Sequence, residues 1–416
     1  VIPRDAYREM SDEELWKKYR VARGERLCGV GLLKRHGRRG QGDDFFSTSH
    51  IAAMPLLERL NTEHRGAVDK YIGTLRDLGI SSDALDTVPK AHSVFGYNDG
   101  HLLFSERLTE FFSGERLEQA QEALQNFLEE CFDGDRPFPY YAILHADGDH
   151  MGTTIAHQES IEKHRALSRR ASSFAQKVNP IVESFKGSLI YAGGDDVLAL
   201  LPVHRAIECA LTLADTFRQQ MSDFAFSGAE GDLLVQPTLS VGIAIVHHLE
   251  PLSDALQLAR EAEVYAKSVK GKNALAVALR KRSGSEKTVG GTWGVFDWRL
   301  EWFVKLYSND EIPSRLAYEL RALALMLEHP GEPPDDSLKQ VLRQEVKRIL
   351  NRKRTEGGSR DVSEHIIQEF MDIVSKHDLS IRQLADELTI AQELALASKL
   401  AAPSKQGVPS GKEANG

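Results

Sequence analysis

The chain has 416 residues, 41% of them hydrophobic, which is enough for real cores and too long for one ordinary domain, so two or three are expected. Its formal net charge of -9 excludes a free-standing nucleic-acid binder of the usual basic kind and leaves nucleic acid to local patches or to a larger assembly. No stretch approaches the roughly 20 apolar residues of a membrane helix, and Cys28, Cys131 and Cys209 form neither a disulfide framework nor a CxxC pair, which fits a reducing cytoplasm.

The chain opens on Val1 rather than Met, as expected of a fragment or a trimmed N-terminus. Residues 1–42 read as a basic helical segment ending in an exposed Gly-rich loop, Lys34-Arg35-His36-Gly37-Arg38-Arg39-Gly40. Residues 43–137 are mainly helical by apolar period; Leu117, Ala120 and Leu124 fall on one face. The texture changes at Asp133-Gly134-Asp135-Arg136-Pro137. Tyr140–Ala146 is an apolar run without helical period, hence a buried strand. A helix follows over about 158–185. Ser188–Ala192 and Val197–Leu201 flank Gly193-Gly194-Asp195-Asp196 as a hairpin. A helix over about 203–223, a strand over 238–246, a helix over 252–268 and a strand over 274–279 complete the unit. This order, β-α-β-β-α-β with an added helix and strand, is ferredoxin-like, so the fold class is α+β: a palm over 138–292 between two helical regions. Residues 293–401 read as a C-terminal helical domain, in which Ser380 and Gln383 form a capping box for a helix running to Leu388. Residues 402–416 read as a disordered tail.

Asp147 ends the first strand, followed by Gly148 and Asp149, and Asp195 and Asp196 stand at the hairpin tip. In a ferredoxin-like sheet the first strand lies beside the third, so three carboxylates converge on one sheet edge. Like charges there repel unless a cation separates them. Hard oxygen donors in this pattern suit Mg²⁺, or Mn²⁺ in its place, shared with substrate phosphates. Two such ions can activate a hydroxyl and stabilise leaving pyrophosphate. Gly193 and Gly194 permit a tight turn and close approach of phosphates, although a Gly-Gly-Asp-Asp turn alone would also suit a plain hairpin. Asp149 reads equally as a turn former or as a group behind the site. Lys267, Lys270 and Lys272 lie where a helix ends and a strand begins. They suit a triphosphate, but spacing alone favours complementing the helix dipole, with Gly271 as C-cap.

At these residues the sequence resembles a known family. Ala146-Asp147-Gly148-Asp149-His150-Met151-Gly152, Gly193-Gly194-Asp195-Asp196-Val197-Leu198-Ala199, Ser240-Val241-Gly242-Ile243-Ala244 and Ala266-Lys267 with Gly271-Lys272-Asn273 are similar to the second palm domain of the large subunit of type III CRISPR effector complexes, Cmr-type (III-B) above all. Gly24–Cys28 and Phe45–Ser49 resemble that family's zinc-finger region and the segment after it. The resemblance implies a nucleotidyltransferase that turns ATP into cyclic oligoadenylate when the complex holds target RNA. It implies Asp147, Asp195 and Asp196 as Mg²⁺ ligands and Lys267 against the triphosphate. It implies nucleotide contacts for Gly148, Asp149, Gly193, Gly194, Lys272, Ser47 and Thr48, the last two equally readable as a helix N-cap before Ile51. Guide RNA, target RNA and the other complex subunits would be partners, with small subunits along the C-terminal helices, and no membrane. Gly31 stands where the family's zinc site has its second cysteine, so no zinc is expected. The family's HD nuclease and first palm domains have no counterpart in this sequence, so full activity is expected to need them or partner subunits.

Two other readings remain open at this stage. A diguanylate cyclase shares the topology, but its hairpin carries Glu-Phe where this chain has Asp196-Val197. A scaffold that binds nucleotide without catalysis would need none of the carboxylates, all of which are present. The basic runs Lys34–Arg39 and Lys347–Arg354 could meet nucleic-acid phosphates; a solvated helix face is the preferred reading of the second.

Overall fold

The computed structural model describes residues 10–19, 45–85, 87–227, 234–282, 284, 286–327, 336–352, 361–377 and 379–402. The Lys34–Arg39 run, Cys28, Gly31 and the 403–416 tail lie outside them. Val1–Phe45 and Phe46–Gly416 are separate units. The first contributes one described helix, α1 (Asp12–Tyr19). Its start is fixed reciprocally: the Ser11 amide donates to the Glu14 carboxylate at 2.8 Å and the Glu14 amide to the Ser11 hydroxyl at 3.2 Å.

The second unit is built on a six-stranded sheet of β1 (Tyr140–Gly148), β2 (Ser188–Gly193), β3 (Asp196–Leu201), β4 (Leu239–His247), β5 (Ala274–Arg280) and β6 (Lys287–Thr292). The spatial order is β2-β3-β1-β4-β5-β6. β1 runs antiparallel to both β3 and β4, and β4 runs parallel to β5. The first four strands are therefore the ferredoxin-like set, and the parallel β5 requires the crossover helix that precedes it. β6 was not expected; Gly290 and Gly291 within Lys287–Thr292 hide its strand character.

Both faces of the sheet are covered, which is why β1 reads as an unbroken apolar run. Ala142, Leu144 and Ala146 point into a core shared with α6 (Ile161–Ser184), α7 (Val203–Gln220) and the C-terminal helices. Tyr141 and Ile143 point the other way, into a core with α2 (Thr48–Leu57), α3 (Arg65–Asp77), α4 (Glu115–Phe132) and α8 (Leu252–Ser268). A short helix, α5 (Met151–Ala156), follows β1 directly.

The C-terminal helices are α9 (Phe296–Ser308), α10 (Leu316–Leu327), α11 (Asp336–Asn351), α12 (Glu364–Lys376) and α13 (Ile381–Ala401). α13 begins at the Ser380 cap, whose hydroxyl accepts the Gln383 amide at 3.1 Å. It runs beyond Leu388 to Ala401, because its residues stay apolar on the sides facing α7, α9 and α10. The Gln383 side chain turns away from the expected box and donates to Glu387 at 3.0 Å. Arg348, in the basic run on α11, is exposed and pairs with Glu345 at 2.6 Å on its own helix, whereas Leu350 faces the core.

Candidate active site at the strand ends

The register of β1 on β3 pairs Ala146 with Val197, so one residue further Asp147 stands level with Asp196. On the other side Asp147 pairs with Ser240 of β4. Asp195 occupies the turn between β2 and β3, and its side chain folds against β1. A Cβ at Gly148 would come within 2.7 Å of the Asp195 carboxylate and of Met151, so only glycine leaves room for that carboxylate beside Asp147. Sheet pairing thus brings Asp147, Asp195 and Asp196 together. The cluster is electrostatically tense. Burial pushes the Asp195 carboxyl above its usual range, and repulsion from Asp147 and Asp196 adds to this against its own backbone N–H and Lys267.

The face of β1 that carries Asp147 also carries His145, two residues earlier. α8 crosses this face at Gly242, where a Cβ would collide with the backbone of Ala262 and Glu263. That close approach delivers Glu263 and Lys267, one helical turn apart, to the acidic end of the sheet. The Lys267 ammonium binds the Asp147 carboxylate and lies 3.1 Å from Glu263 Oε1. Burial works against the charge of Lys267, but the Asp147 bond and the Glu263 charge outweigh it and raise the ammonium above its ordinary value. His145 Nε2 is 3.6 Å from Asp196 Oδ1, and its Nδ1 is 4.0 Å from Glu263 Oε2. Asp196 Oδ1 and His145 Nδ1 are buried without a hydrogen-bond partner among the described residues, and Glu263 Oε1 meets the Lys267 ammonium as an ion pair without a well-directed hydrogen bond. Orphaned polar atoms in one place mark a site built for something else to enter. Three carboxylates in mutual repulsion, one with an unused oxygen, are the donor set that a hard divalent cation takes.

Asp149 does not face this opening. It is fully buried and accepts hydrogen bonds from Thr238 Oγ1 (2.8 Å), Ser240 Oγ (2.8 and 3.0 Å) and the Asn273 amide (3.0 Å). Its role is to tie the end of β1 to the start of β4 and to the loop entering β5. That loop holds Gly271, Lys272 and Asn273 at φ of 88°, 54° and 49°, a left-handed run that two non-glycine residues adopt only when the surroundings impose it. Lys272 lies at the same sheet end as Asp147, half-buried in this loop. Gly194, at φ 72°, is open in front, whereas the Tyr191 ring covers Gly193.

Ser47 and Thr48 are not brought to the carboxylates. The Ser47 hydroxyl caps α2 by accepting the His50 amide at 2.9 Å and donates to Asp99 at 2.8 Å. The Thr48 hydroxyl donates to the His248 carbonyl at 3.1 Å. His248 follows the end of β4 that pairs with Tyr140, seven strand residues and roughly 23 Å from Asp147. The N-cap alternative holds for Ser47, whereas Thr48 is the first residue inside the helix and ties it to the His248 carbonyl. Beside them Ser49 Oγ lies 2.9 Å from His248 Nδ1, and His248 Nε2 lies 3.3 Å from Glu106. This network fastens α2 and the segment around Glu106 to the palm.

His145 and Glu263 escaped the sequence reading. The signals were a polar residue in step with Asp147 inside an apolar strand, an acid four residues before Lys267, and a strand-interior glycine at 242.

The topology and its acidic strand ends define a palm-type domain. Residues 140–276 match the family model described as Cas10/Cmr2, second palm domain. The CRISPR system Cmr subunit Cmr2 of Pyrococcus furiosus is 32% identical over 270 residues, 57% of this chain and 29% of that protein. The cryo-EM structure of a type III-B Cmr-beta complex bound to cognate target RNA superposes with a TM-score of 0.50 at 13% identity, over 90% of this chain and 50% of the matched one. The apo state of Cmr-beta gives 0.44 at 13% identity, over 82% and 46%. Residues 140–276 are thus similar to the second palm domain of Cas10/Cmr2 proteins, and the wider likeness to the Cmr-beta complex is one of fold. The chain's match spans 29% of the length of the Pyrococcus furiosus relative. Among the described residues no helix is long and apolar enough to cross a membrane.

Proposed function

We propose that this chain is the nucleotidyltransferase palm of an RNA-guided type III-B complex and converts ATP to cyclic oligoadenylate with Mg²⁺. The reading is carried by the convergence of Asp147, Asp195 and Asp196, from two strand ends and a turn, with Lys267 beside them. Asp147, Asp195 and Asp196 would hold Mg²⁺ or Mn²⁺ by their carboxylate oxygens. Bound there, the metal would supply charge neutralisation and activation of the attacking hydroxyl. The reaction is attack of the 3′-hydroxyl of one ATP on the α-phosphate of another. A P–O bond forms, the bond to the β-phosphate oxygen breaks, pyrophosphate leaves and the hydroxyl proton passes to solvent. Lys267 meets the triphosphate, and Lys272 adds positive charge from the loop that Asp149 fixes. The open backbone at Gly194 allows phosphate to approach. Guide RNA, target RNA and the other subunits complete the assembly, with small subunits along the C-terminal helices, in the cytoplasm.

The test is product analysis of the assembled complex given ATP or GTP with Mg²⁺, with and without target RNA. Mass spectrometry should find cyclic oligoadenylate from ATP, raised by target RNA. Cyclic diguanylate from GTP would instead favour the diguanylate-cyclase reading, and nucleotide retained unchanged under all conditions would favour a scaffold.

A further inference from the structure

Glu263 lies outside every motif that marks the site, yet it is among the few buried acids of the described residues and sits one helical turn from Lys267. Its Oε1 is 3.1 Å from the Lys267 ammonium but without a well-directed hydrogen bond, because Lys267 is turned to Asp147. One ammonium thus stands between two carboxylates and fully serves only one. We infer that Lys267 is the counter-ion of the acidic site in the metal-free protein, and that Glu263 is the positioning residue that receives it when a divalent cation takes Asp147. This rests on the carboxylate reading above and deepens it.

The physical case has three parts. First, Asp147, Asp195 and Asp196 need positive charge, and Lys267 bonds Asp147 and acts through space on Asp195. A divalent ion must compete for the Asp147 oxygen that Lys267 holds. Second, the ammonium carries three N–H donors on a flexible stem, so a small torsional change completes the Glu263 bond while breaking the Asp147 bond. Glu263 is 9% exposed, so a full bond there satisfies an oxygen that is otherwise costly to bury. Third, the transfer conserves charge within the site: a Lys–Glu pair forms as a metal–carboxylate set forms. On Glu263 the ammonium stays at the metal's edge, where the phosphates of a nucleotide arrive.

This assigns opposite signs to two substitutions. The experiment is Mn²⁺ binding to the full chain without nucleotide, read by loss of the free-ion electron paramagnetic resonance signal. Lys267→Met removes the competitor and should tighten Mn²⁺ about tenfold, the worth of one charge-assisted hydrogen bond. Glu263→Gln leaves Lys267 no charged seat and should weaken Mn²⁺ by a similar factor of about ten. The double variant should follow Lys267→Met. Thermal melts guard against misfolding: Mn²⁺ should raise the melting temperature of Lys267→Met more than that of wild type. If wild type binds Mn²⁺ and Asp195→Ala with Asp196→Ala loses it, but Lys267→Met binds no tighter or Glu263→Gln no more weakly, this inference alone is overturned. If wild type takes up no Mn²⁺, or the double Asp variant binds it unchanged, the carboxylate reading falls and the inference with it.

Discussion

Asp195→Ala combined with Asp196→Ala should abolish cyclic oligoadenylate formation, a loss on the order of a thousandfold or more, while leaving the fold and the assembled complex intact. The two effects separate because the carboxylates serve the site and not the fold. Asp195 is buried enough to be desolvated and faces Asp147 and Asp196, so its carboxyl is raised above the value of the unfolded chain. The sign follows: a carboxyl with a raised folded value weakens the fold where it is ionised, above that value, and the penalty disappears below the unfolded value. At neutral pH the double Ala variant should therefore melt no lower than wild type, and without metal somewhat higher. A variant that makes product at the wild-type rate would refute the catalytic assignment. One that fails to fold would refute the statement that the ionised Asp195 carboxylate is a stability cost.

The second large effect concerns the fold. Arg299→Met should destabilise the Phe46–Gly416 unit by about 3–5 kcal/mol. Arg299 on α9 makes a bidentate pair with Glu387 on α13 at 2.7 and 2.8 Å, and the two side chains are 4% and 0% exposed. Gln383 adds a third hydrogen bond to the same carboxylate. Removing the guanidinium strands a buried charge with one amide for company. Glu387→Met strands the guanidinium over the Phe296 ring and should cost a similar amount. Replacing both by Met removes both desolvation penalties and should recover most of the loss. Denaturant midpoints of the three variants check this; a double variant as unstable as either single one would show that the pair does more than compensate its own burial.

The palm was legible because its strands advertise both covered faces and its hairpin carries a turn signal. Five strands and the helices over 161–184, 203–220 and 252–268 lie where apolar period placed them. β6 was not legible, since Gly290 and Gly291 belong to a strand only because β5 supplies its partner. The convergence of Asp147 with Asp195 and Asp196 followed from topology alone, for the register of an antiparallel pair is fixed once its order is known. Asp149 was ambiguous for a physical reason. An acid beside a metal-type acid reads the same whether it points forward or back, and only Thr238, Ser240 and Asn273 show that it points back. Glu263 depends on a helix resting on Gly242, a contact between residues 21 positions apart that its spacing from Lys267 hints at but does not place. Ser47 and Thr48 were drawn to the site by resemblance; the helix-cap reading describes Ser47, while the Thr48 hydroxyl bonds the His248 carbonyl instead.

Crystals of the chain soaked with Mn²⁺ and a non-hydrolysable ATP analogue, measured for anomalous scattering, address the acidic site directly. The account requires Mn²⁺ density at roughly 2.0–2.3 Å from carboxylate oxygens of Asp147 and of the Asp195–Asp196 pair, with the triphosphate alongside. Anomalous density elsewhere, with Lys267 still bound to Asp147 and the nucleotide away from the strand ends, would contradict it.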